Sequence, residues 1–146
     1  MGLTLKKIIL WRTEVDNTPG ILAKVLGPLA DAEANLQVVM GYRFPGNETK
    51  AAIEVYPVTS KKTIKAATSA GLSASAIPTL LVEGDNRQGL GKLIAEAIAE
   101  AGINLGFLVT QVIGKRYSSV IGFEREEDAK RAASLIRNVT AGKRKR

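Results

Sequence analysis

Hydrophobic and polar positions change their period in the same order twice along the chain. A short apolar run at residues 8–14 precedes a segment with helical spacing that includes Leu22, Val25 and Leu29. A second apolar run at residues 79–83 precedes another helical segment from Leu90 to Ala101. Short apolar runs bounded by turn residues are typical of strands, and a 3.6-residue period is typical of helices. Each half is therefore predicted to open with a strand and a helix.

The same order continues through each half. Alternating strands are predicted at residues 36–44 and 105–113, and turns join them to strands at residues 51–58 and 117–124. Helical spacing then returns at residues 60–70 and 125–138. Residues 72–77 supply a last strand in the first half, whereas the last strand of the second half is expected to be short or absent. The fold class is α+β, with two ferredoxin-like βαββαβ units in tandem, each an antiparallel sheet with helices on one face.

The repeat sets the expected domain boundaries. Residues 1–77 are assigned to the first unit, residues 78–140 to the second, and residues 141–146 to a basic C-terminal tail. A unit of this size buries only about 60% of its unfolded surface, so the halves are expected to pack together as one sheet. The edge left by the short second half favours strand pairing with another chain, and we therefore expect a homodimer.

Composition narrows the chemistry. The chain of 146 residues has no cysteine and no histidine, which removes thiolate nucleophiles, the usual general base and the commonest metal ligands. No nucleophile–base pair is visible and no cofactor is expected, so the sequence predicts a protein that is not an enzyme. The apolar runs are far shorter than the roughly 20 residues that span a bilayer, and Met1–Arg12 lacks the features of a signal peptide. A cytoplasmic protein is expected.

The net charge of +7 is concentrated at the C-terminus. Lys143–Arg146 supplies four of the 21 cationic side chains, and without this run the net charge is +3. Four charges at a chain end are more often solvated than bound to phosphates. The sheet-forming segments also lack the aromatic motif of RNA-binding sheets. Nucleic acid is therefore not expected as a partner.

One loop motif occurs in both halves. Residues 16–21 (Asp-Asn-Thr-Pro-Gly-Ile) and 85–90 (Asp-Asn-Arg-Gln-Gly-Leu) each stand between a predicted strand and a predicted helix. Turn and cap geometry alone explains these residue types, and duplication of an ancestral unit explains the second copy. The loop also presents backbone N–H groups at a positive helix end, a carboxamide and a glycine, which suit a small carboxylate. Strand carbonyls nearby would accept from an ammonium group, so an amino acid fits this loop.

These segments resemble the ACT domain family of small regulatory amino-acid-binding modules, here as a tandem pair over about residues 6–140. The similar segments are Glu14–Leu22 with Asn35-Leu36, and Glu83–Leu90 with Ala101–Leu105. The resemblance implies a ferredoxin-like fold, side-by-side pairing of sheets and a ligand held between adjacent units. The second half departs from the family pattern at Gln88, where proline is usual.

Position by position, the resemblance implies two candidate ligand sites. The first comprises the loop, the start of its helix and the facing strand: Asp16, Asn17, Thr18, Pro19, Gly20, Ile21, Leu22, Asn35 and Gln37. The second comprises the equivalent positions Asp85, Asn86, Arg87, Gly89, Leu90 and Asn104. Arg87 is a cation at a helix start that prefers anions, and it is also suited to clamp a ligand carboxylate. Thr18 is further predicted to cap the first helix, with Pro19 in its first turn.

Two functions are consistent with the predicted fold and candidate sites. The sequence favours a regulatory protein that senses a free amino acid at the interface between ACT-like units and transmits its occupancy to a partner. The alternative is a ligand-free interaction module whose sheet edge pairs with a metabolic enzyme. The two functions differ in one measurable respect, which is the response of the protein to amino acids.

Overall fold

The structure is a computed structural model that describes residues 2–141. It divides the chain into two compact units, of which one is Ile9–Ala76 and the other combines the chain up to Ile8 with the chain from Ile77 onward. The expected basic tail lies outside the described residues except for Ala141, which follows the last helix. Among the described residues, no helix is long and apolar enough to cross a membrane.

The first unit has the predicted order of strands and helices. Strand β1 (Thr4–Ile8) precedes it, and its own elements are β2 (Trp11–Asp16), α1 (Ile21–Asp31), β3 (Val38–Phe44), β4 (Asn47–Tyr56), α2 (Lys61–Ser69) and β5 (Ser73–Ala74). The strands are antiparallel in the order β3-β4-β2-β5. Side chains from both helices and one sheet face form the core, which includes Val25, Leu29, Ile53, Val55 and Ala67. This is the split βαβ arrangement.

The second unit repeats this arrangement with a strand taken from elsewhere in the chain. Its elements from Ile77 onward are β6 (Thr79–Asp85), α3 (Leu90–Glu100), β7 (Leu105–Ile113), β8 (Arg116–Phe123) and α4 (Glu126–Thr140). The antiparallel sheet has the order β1-β6-β8-β7, so β1 holds the position that β5 holds in the first unit. The core under α3 and α4 includes Leu80, Val82, Ile94, Ile98 and Ile136. The predicted fold class, two ferredoxin-like units in tandem, is confirmed.

The position of β1 differs from the expected boundary, which assigned the whole of residues 1–77 to the first unit. Leu5 of β1 lies opposite Val82 of β6. Leu3 and Leu5 also pack against the core of the second unit, so apolar contacts reinforce the backbone hydrogen bonds of this strand. This arrangement is not predictable from the hydrophobic pattern, because residues 8–14 form one apolar run. The structure divides that run between the end of β1 and β2.

This placement of β1 changes which sheet edges are open. The short end of the second half is expected to leave an edge beside β6, and β1 fills that edge. The other edge strand of this sheet is β7, and the edges of the first sheet are β3 and the two-residue β5. Hydrogen bonds join the described strands into two sheets of four strands rather than the single sheet expected.

Both helices that follow the repeated loop begin after a glycine in the left-handed region. Gly20 (φ 86°) precedes α1 and Gly89 (φ 81°) precedes α3, and neither helix has a side-chain cap. The prediction that Thr18 caps the first helix with Pro19 in its first turn is therefore wrong. The helix begins only at Ile21, and the carbonyl of Thr18 accepts the backbone N–H of Ile21 at 3.2 Å. A positive φ at this point favours glycine, which has no Cβ to clash.

Candidate ligand-binding site

The repeated loop is held by the same backbone contact in both units. The backbone N–H of Asn17 donates to the carbonyl of Thr49 at 2.9 Å, and the backbone N–H of Asn86 donates to the carbonyl of Lys115 at 2.8 Å. Each bond joins the loop to the hairpin of its own unit. The Asn17 side chain adds a further bond, since its Nδ2 donates to the carbonyl of Glu48 at 3.1 Å. The loop geometry is therefore common to the two units.

The aspartate that opens each loop is paired with a cation from the neighbouring strand. Lys50 Nζ donates to Asp16 Oδ1 at 2.6 Å, and Arg116 Nη1 donates to Asp85 Oδ1 at 2.9 Å. The hydrogen bond and the charge of Lys50 lower the pKa of Asp16. Both carboxylates are thus engaged within the fold. Within residues 2–141, no group of three or more histidine, cysteine, aspartate or glutamate side chains is placed to hold a metal ion.

A cavity of about 300 Å³ lies beside the loop of the first unit. We call it the first cavity, and its wall comes from the loop, the first turn of α1 and the adjoining parts of β3 and β4: Asn17, Ile21, Leu22, Gly41, Tyr42, Arg43, Ala51, Ala52 and Ile53. Most of these side chains are apolar, and the amide of Asn17 and the guanidinium of Arg43 are the strongest polar groups. Its volume is at the lower end of the roughly 300–1,000 Å³ that small-molecule sites occupy.

Gly41 provides open space on the β3 side of this cavity. It lies opposite Ile53 of β4, and a Cβ at Gly41 would meet no atom within 4 Å. At the equivalent place in the second unit, Thr110 of β7 lies opposite Ser119 of β8, and their hydroxyls are hydrogen-bonded at 2.7 Å. The two units therefore share the loop but differ in the strands beside it.

Arg43 brings a largely uncommitted positive charge to the first cavity. Its Nη1 lies 3.7 Å from Oε1 of Glu48, and both side chains are more than half exposed. An exposed pair at this distance contributes little free energy, so the guanidinium remains available to an anionic ligand. The positive end of α1 acts in the same direction. The cavity thus combines a region that attracts anions with an apolar wall.

A second cavity, of about 220 Å³, lies beside the loop of the second unit. Its lining comes from the residues before β1, the end of β6 and the loop after it, β8, and the end of α4: Gly2, Leu3, Gly84, Asp85, Asn86, Arg87, Tyr117 and Thr140. None of these lining residues belongs to β7, the counterpart of β3. The first cavity is bordered by β3, so the two cavities differ in the strands that line them.

The structure brings six of the predicted site residues to a cavity. Asn17, Ile21 and Leu22 line the first cavity, and Asp85, Asn86 and Arg87 line the second. The other candidates line neither of these two cavities: Asp16, Thr18, Pro19, Gly20, Asn35, Gln37, Gly89, Leu90 and Asn104. Leu90, for example, packs in the hydrophobic core of the second unit.

The sequence reasoning missed the strand residues of the first cavity, which are Gly41, Tyr42, Arg43, Ala51, Ala52 and Ile53. One signal was present, because an isolated glycine inside an alternating strand marks a bulge or a close approach. Gly41 is such a glycine. The segment at residues 51–53 carries no comparable signal, since small and branched apolar residues are ordinary in strands.

No protein-family model and no curated protein matches the sequence. Solved structures do match it over most of its length. The ligand-free regulatory subunit of aspartate kinase from Thermus thermophilus is 19% identical with a TM-score of 0.63, and the match covers 94% of this chain and 96% of that one. Protein BT0572 from Bacteroides thetaiotaomicron is 14% identical with a TM-score of 0.72, with 89% and 88% covered.

The chain has the fold of an aspartate kinase regulatory subunit. The aspartate kinase of Clostridium acetobutylicum, a longer protein, matches as well at 16% identity and a TM-score of 0.60, over 97% of this chain and 34% of that one. At these identities the likeness concerns the fold. It agrees with the tandem ACT-like pair expected from the repeated loop, and the regulatory subunits among the matches share both units with this chain.

Proposed function

We propose that this chain is a regulatory module that senses a free amino acid in the first cavity and passes its occupancy to a metabolic enzyme. The observation that carries this proposal is the cavity, in which an amide, a cation and an apolar wall surround one space of about 300 Å³. The fold shared with regulatory subunits of aspartate kinase supports a regulatory role.

The groups around the first cavity suit the parts of an amino acid. Arg43 and the positive end of α1 attract a carboxylate. The carboxamide oxygen of Asn17 and the strand carbonyls are acceptors for an ammonium group. Ile21 and Leu22 offer apolar surface to the ligand side chain. Each part of the ligand therefore has a partner of matching chemistry.

The first cavity lies beside β3, an edge strand, and we propose that a second copy of the chain completes the site. Leu22, Val39 and Tyr42 lie on or near this edge and are 43–45% exposed. Pairing along β3 would bury this apolar surface in a homodimer and enclose the ligand. The amino acid would then stabilise one pairing geometry over another, which is how occupancy becomes a signal.

Thermal unfolding in the presence of each standard amino acid tests the proposal. A ligand at a hundred times its Kd adds about 2.7 kcal/mol, which raises the Tm of a chain of this length by roughly 5–10 °C. Gly41→Val, which fills the cavity, and Arg43→Gln, which removes the cation, are expected to abolish the shift. Lys24→Gln, an exposed change on α1, is the matched control. A shift that persists in both cavity variants contradicts the site.

The exposed surface of β7 favours the alternative, an interaction module. Leu108, Val109, Val112 and Ile113 are 47–69% exposed, and among the described strands β7 pairs only with β8. Exposed apolar strand edges are uncommon in monomeric proteins because they invite pairing. Under this alternative the edge binds a partner polypeptide and no ligand is needed.

Sedimentation of the purified protein, combined with the amino-acid screen, tests the form of this alternative in which β7 binds a second copy of the chain. If β7 binds a second copy, Val112→Lys lowers the observed mass towards that of a monomer, and Ile64→Lys, an equally apolar but helical position, leaves it unchanged. A stable assembly without a response to any amino acid supports the interaction module. An amino-acid response that survives Val112→Lys supports the sensor.

A further inference from the structure

Tyr117 lines the second cavity and carries a buried hydroxyl. The residue is 5% exposed and lines the cavity, and its hydroxyl has no hydrogen-bond partner among the described residues. Buried hydroxyls in proteins are nearly always paired, because an unpaired one has lost its water without replacement. Burial also raises the pKa of this phenol, so it remains a protonated donor at neutral pH.

Gly84 supplies the space that the Tyr117 ring occupies. The two residues lie opposite each other in the ladder between β6 and β8. A Cβ at position 84 would lie 2.9 Å from Cε2 and 3.0 Å from the hydroxyl oxygen of Tyr117. In the first unit the equivalent pair is Val15 and Ala51, so the large and small positions are exchanged between the units. The ferredoxin-like repeat does not itself require a tyrosine at this place.

Two arginines hold the walls of the second cavity. Arg116 Nη1 donates to Asp85 Oδ1 at 2.9 Å and to the carbonyl of Gly2 at 3.2 Å, which ties the residues before β1 to the loop. Arg87 Nη2 donates to the carbonyl of Val139 at 3.2 Å, which ties the loop to the end of α4. Of the two cations, Arg116 has a carboxylate partner, whereas Arg87 makes no salt bridge within the described residues. The cavity therefore retains an unneutralised positive charge.

We propose that the second cavity binds a small carboxylate, with the Tyr117 hydroxyl and the Arg87 guanidinium as its donors. A carboxylate has two acceptor oxygens and would match one neutral and one charged donor. Asn86 lines the same space and offers a further amide donor. The volume of about 220 Å³ restricts the ligand to a small molecule. This site shares no residue with the first cavity, so either proposal can fail without the other.

NMR on the whole chain with ring-labelled tyrosine tests this site. The chain contains three tyrosines, at positions 42, 56 and 117, so each ring is assignable by substitution with phenylalanine. The probes are sodium acetate, propionate and malonate, titrated to tens of millimolar against sodium chloride of equal ionic strength. We expect a saturable shift of the Tyr117 resonances, with the other two rings unaffected. Shifts that do not saturate, or that affect all three rings alike, overturn the proposal.

Variants locate the binding and separate it from simple hydration of the phenol. Followed at the Asn86 amide, Tyr117→Phe and Arg87→Gln are each expected to weaken carboxylate binding at least tenfold. Lys115→Gln removes a nearby charge outside the cavity lining and is expected to have no effect. Binding that is unchanged in Arg87→Gln overturns the proposal, and this variant serves alone if Tyr117→Phe does not fold. The proposal is also overturned if the unmodified protein binds none of the probes while Tyr117→Phe still folds. In that case the partner of the Tyr117 hydroxyl is a water molecule.

Discussion

The hydroxyl of Tyr42 donates a hydrogen bond of 2.7 Å to Oε2 of Glu54, a carboxylate that is only 1% exposed. Arg12 lies opposite Glu54 in the ladder between β2 and β4, with its Nε 3.5 Å from the same oxygen. Burial and the bond to Glu54 raise the pKa of Tyr42, which keeps the phenol protonated. A buried carboxylate thus depends on one phenol and one guanidinium, and the phenol belongs to a residue of the first cavity.

Tyr42→Phe is therefore expected to destabilise the protein by about 1–3 kcal/mol. The substitution keeps the ring but removes the closest donor to Glu54 Oε2. The buried oxygen then has neither this hydrogen bond nor water in its place, which destabilises the folded state. The change is measured as a lower midpoint of urea denaturation. Tyr56→Phe is the matched control, because the Tyr56 hydroxyl has no hydrogen-bond partner in the described part of the chain. Equal destabilisation by the two variants contradicts this account of Glu54.

Gly20→Ala is expected to destabilise the protein by about 1–2 kcal/mol, the cost of a left-handed conformation in a residue with a Cβ. No atom lies within 4 Å of the position that this Cβ would take, so the effect is conformational rather than steric. Gly27 lies inside α1 with similar open space, and there alanine is expected to stabilise by up to about 1 kcal/mol. Denaturant unfolding measures the change in unfolding free energy for each variant. Changes of opposite sign support the loop geometry, and changes of the same sign contradict it.

The pair between Asp16 and Lys50 gives an acid-sensitive contact in the first unit. Because Lys50 lowers the pKa of Asp16, the pair adds stability above the ordinary aspartate pKa of about 3.9 and loses it as pH falls through the lowered value. Carboxyl-carbon NMR is expected to show Asp16 titrating below its ordinary range. Lys50→Met returns the pKa towards that range, and Lys24→Met does not. An Asp16 pKa unmoved by Lys50→Met contradicts the pairing.

The fold was predictable because the sequence patterns that indicate its strands and helices are local and occur in both halves of the chain. The change from a period of two to a period of 3.6 occurs in both halves, and the loops at residues 16–21 and 85–90 match position by position. Burial patterns of this kind survive without knowledge of distant contacts. The strand at residues 4–8 was not assignable in this way, because its partner lies in β6 and apolar pattern alone does not select a partner.

The candidate sites were predictable only in part, for a related reason. The loop motif identified Asn17 and Asn86, which line the two cavities. The cavity walls depend instead on cross-strand pairs such as Gly84 with Tyr117. In the equivalent pair of the first unit, Val15 with Ala51, the larger side chain lies on the other strand. A difference of this kind is visible only when the register of the strands is known.

Deletion of residues 2–8 tests the unusual role of β1. Without this strand, β6 becomes a sheet edge and loses the apolar cover of Leu3 and Leu5, at a cost of about 2 kcal/mol or more to the second unit. Hydrogen exchange is expected to accelerate at the amides of β6 that face β1, while the amides between β2 and β4 keep their protection. Deletion of Lys143–Arg146 is the control for shortening the chain. Loss of protection between β2 and β4, with β6 unaffected, would place the strand at residues 4–8 in the first unit after all.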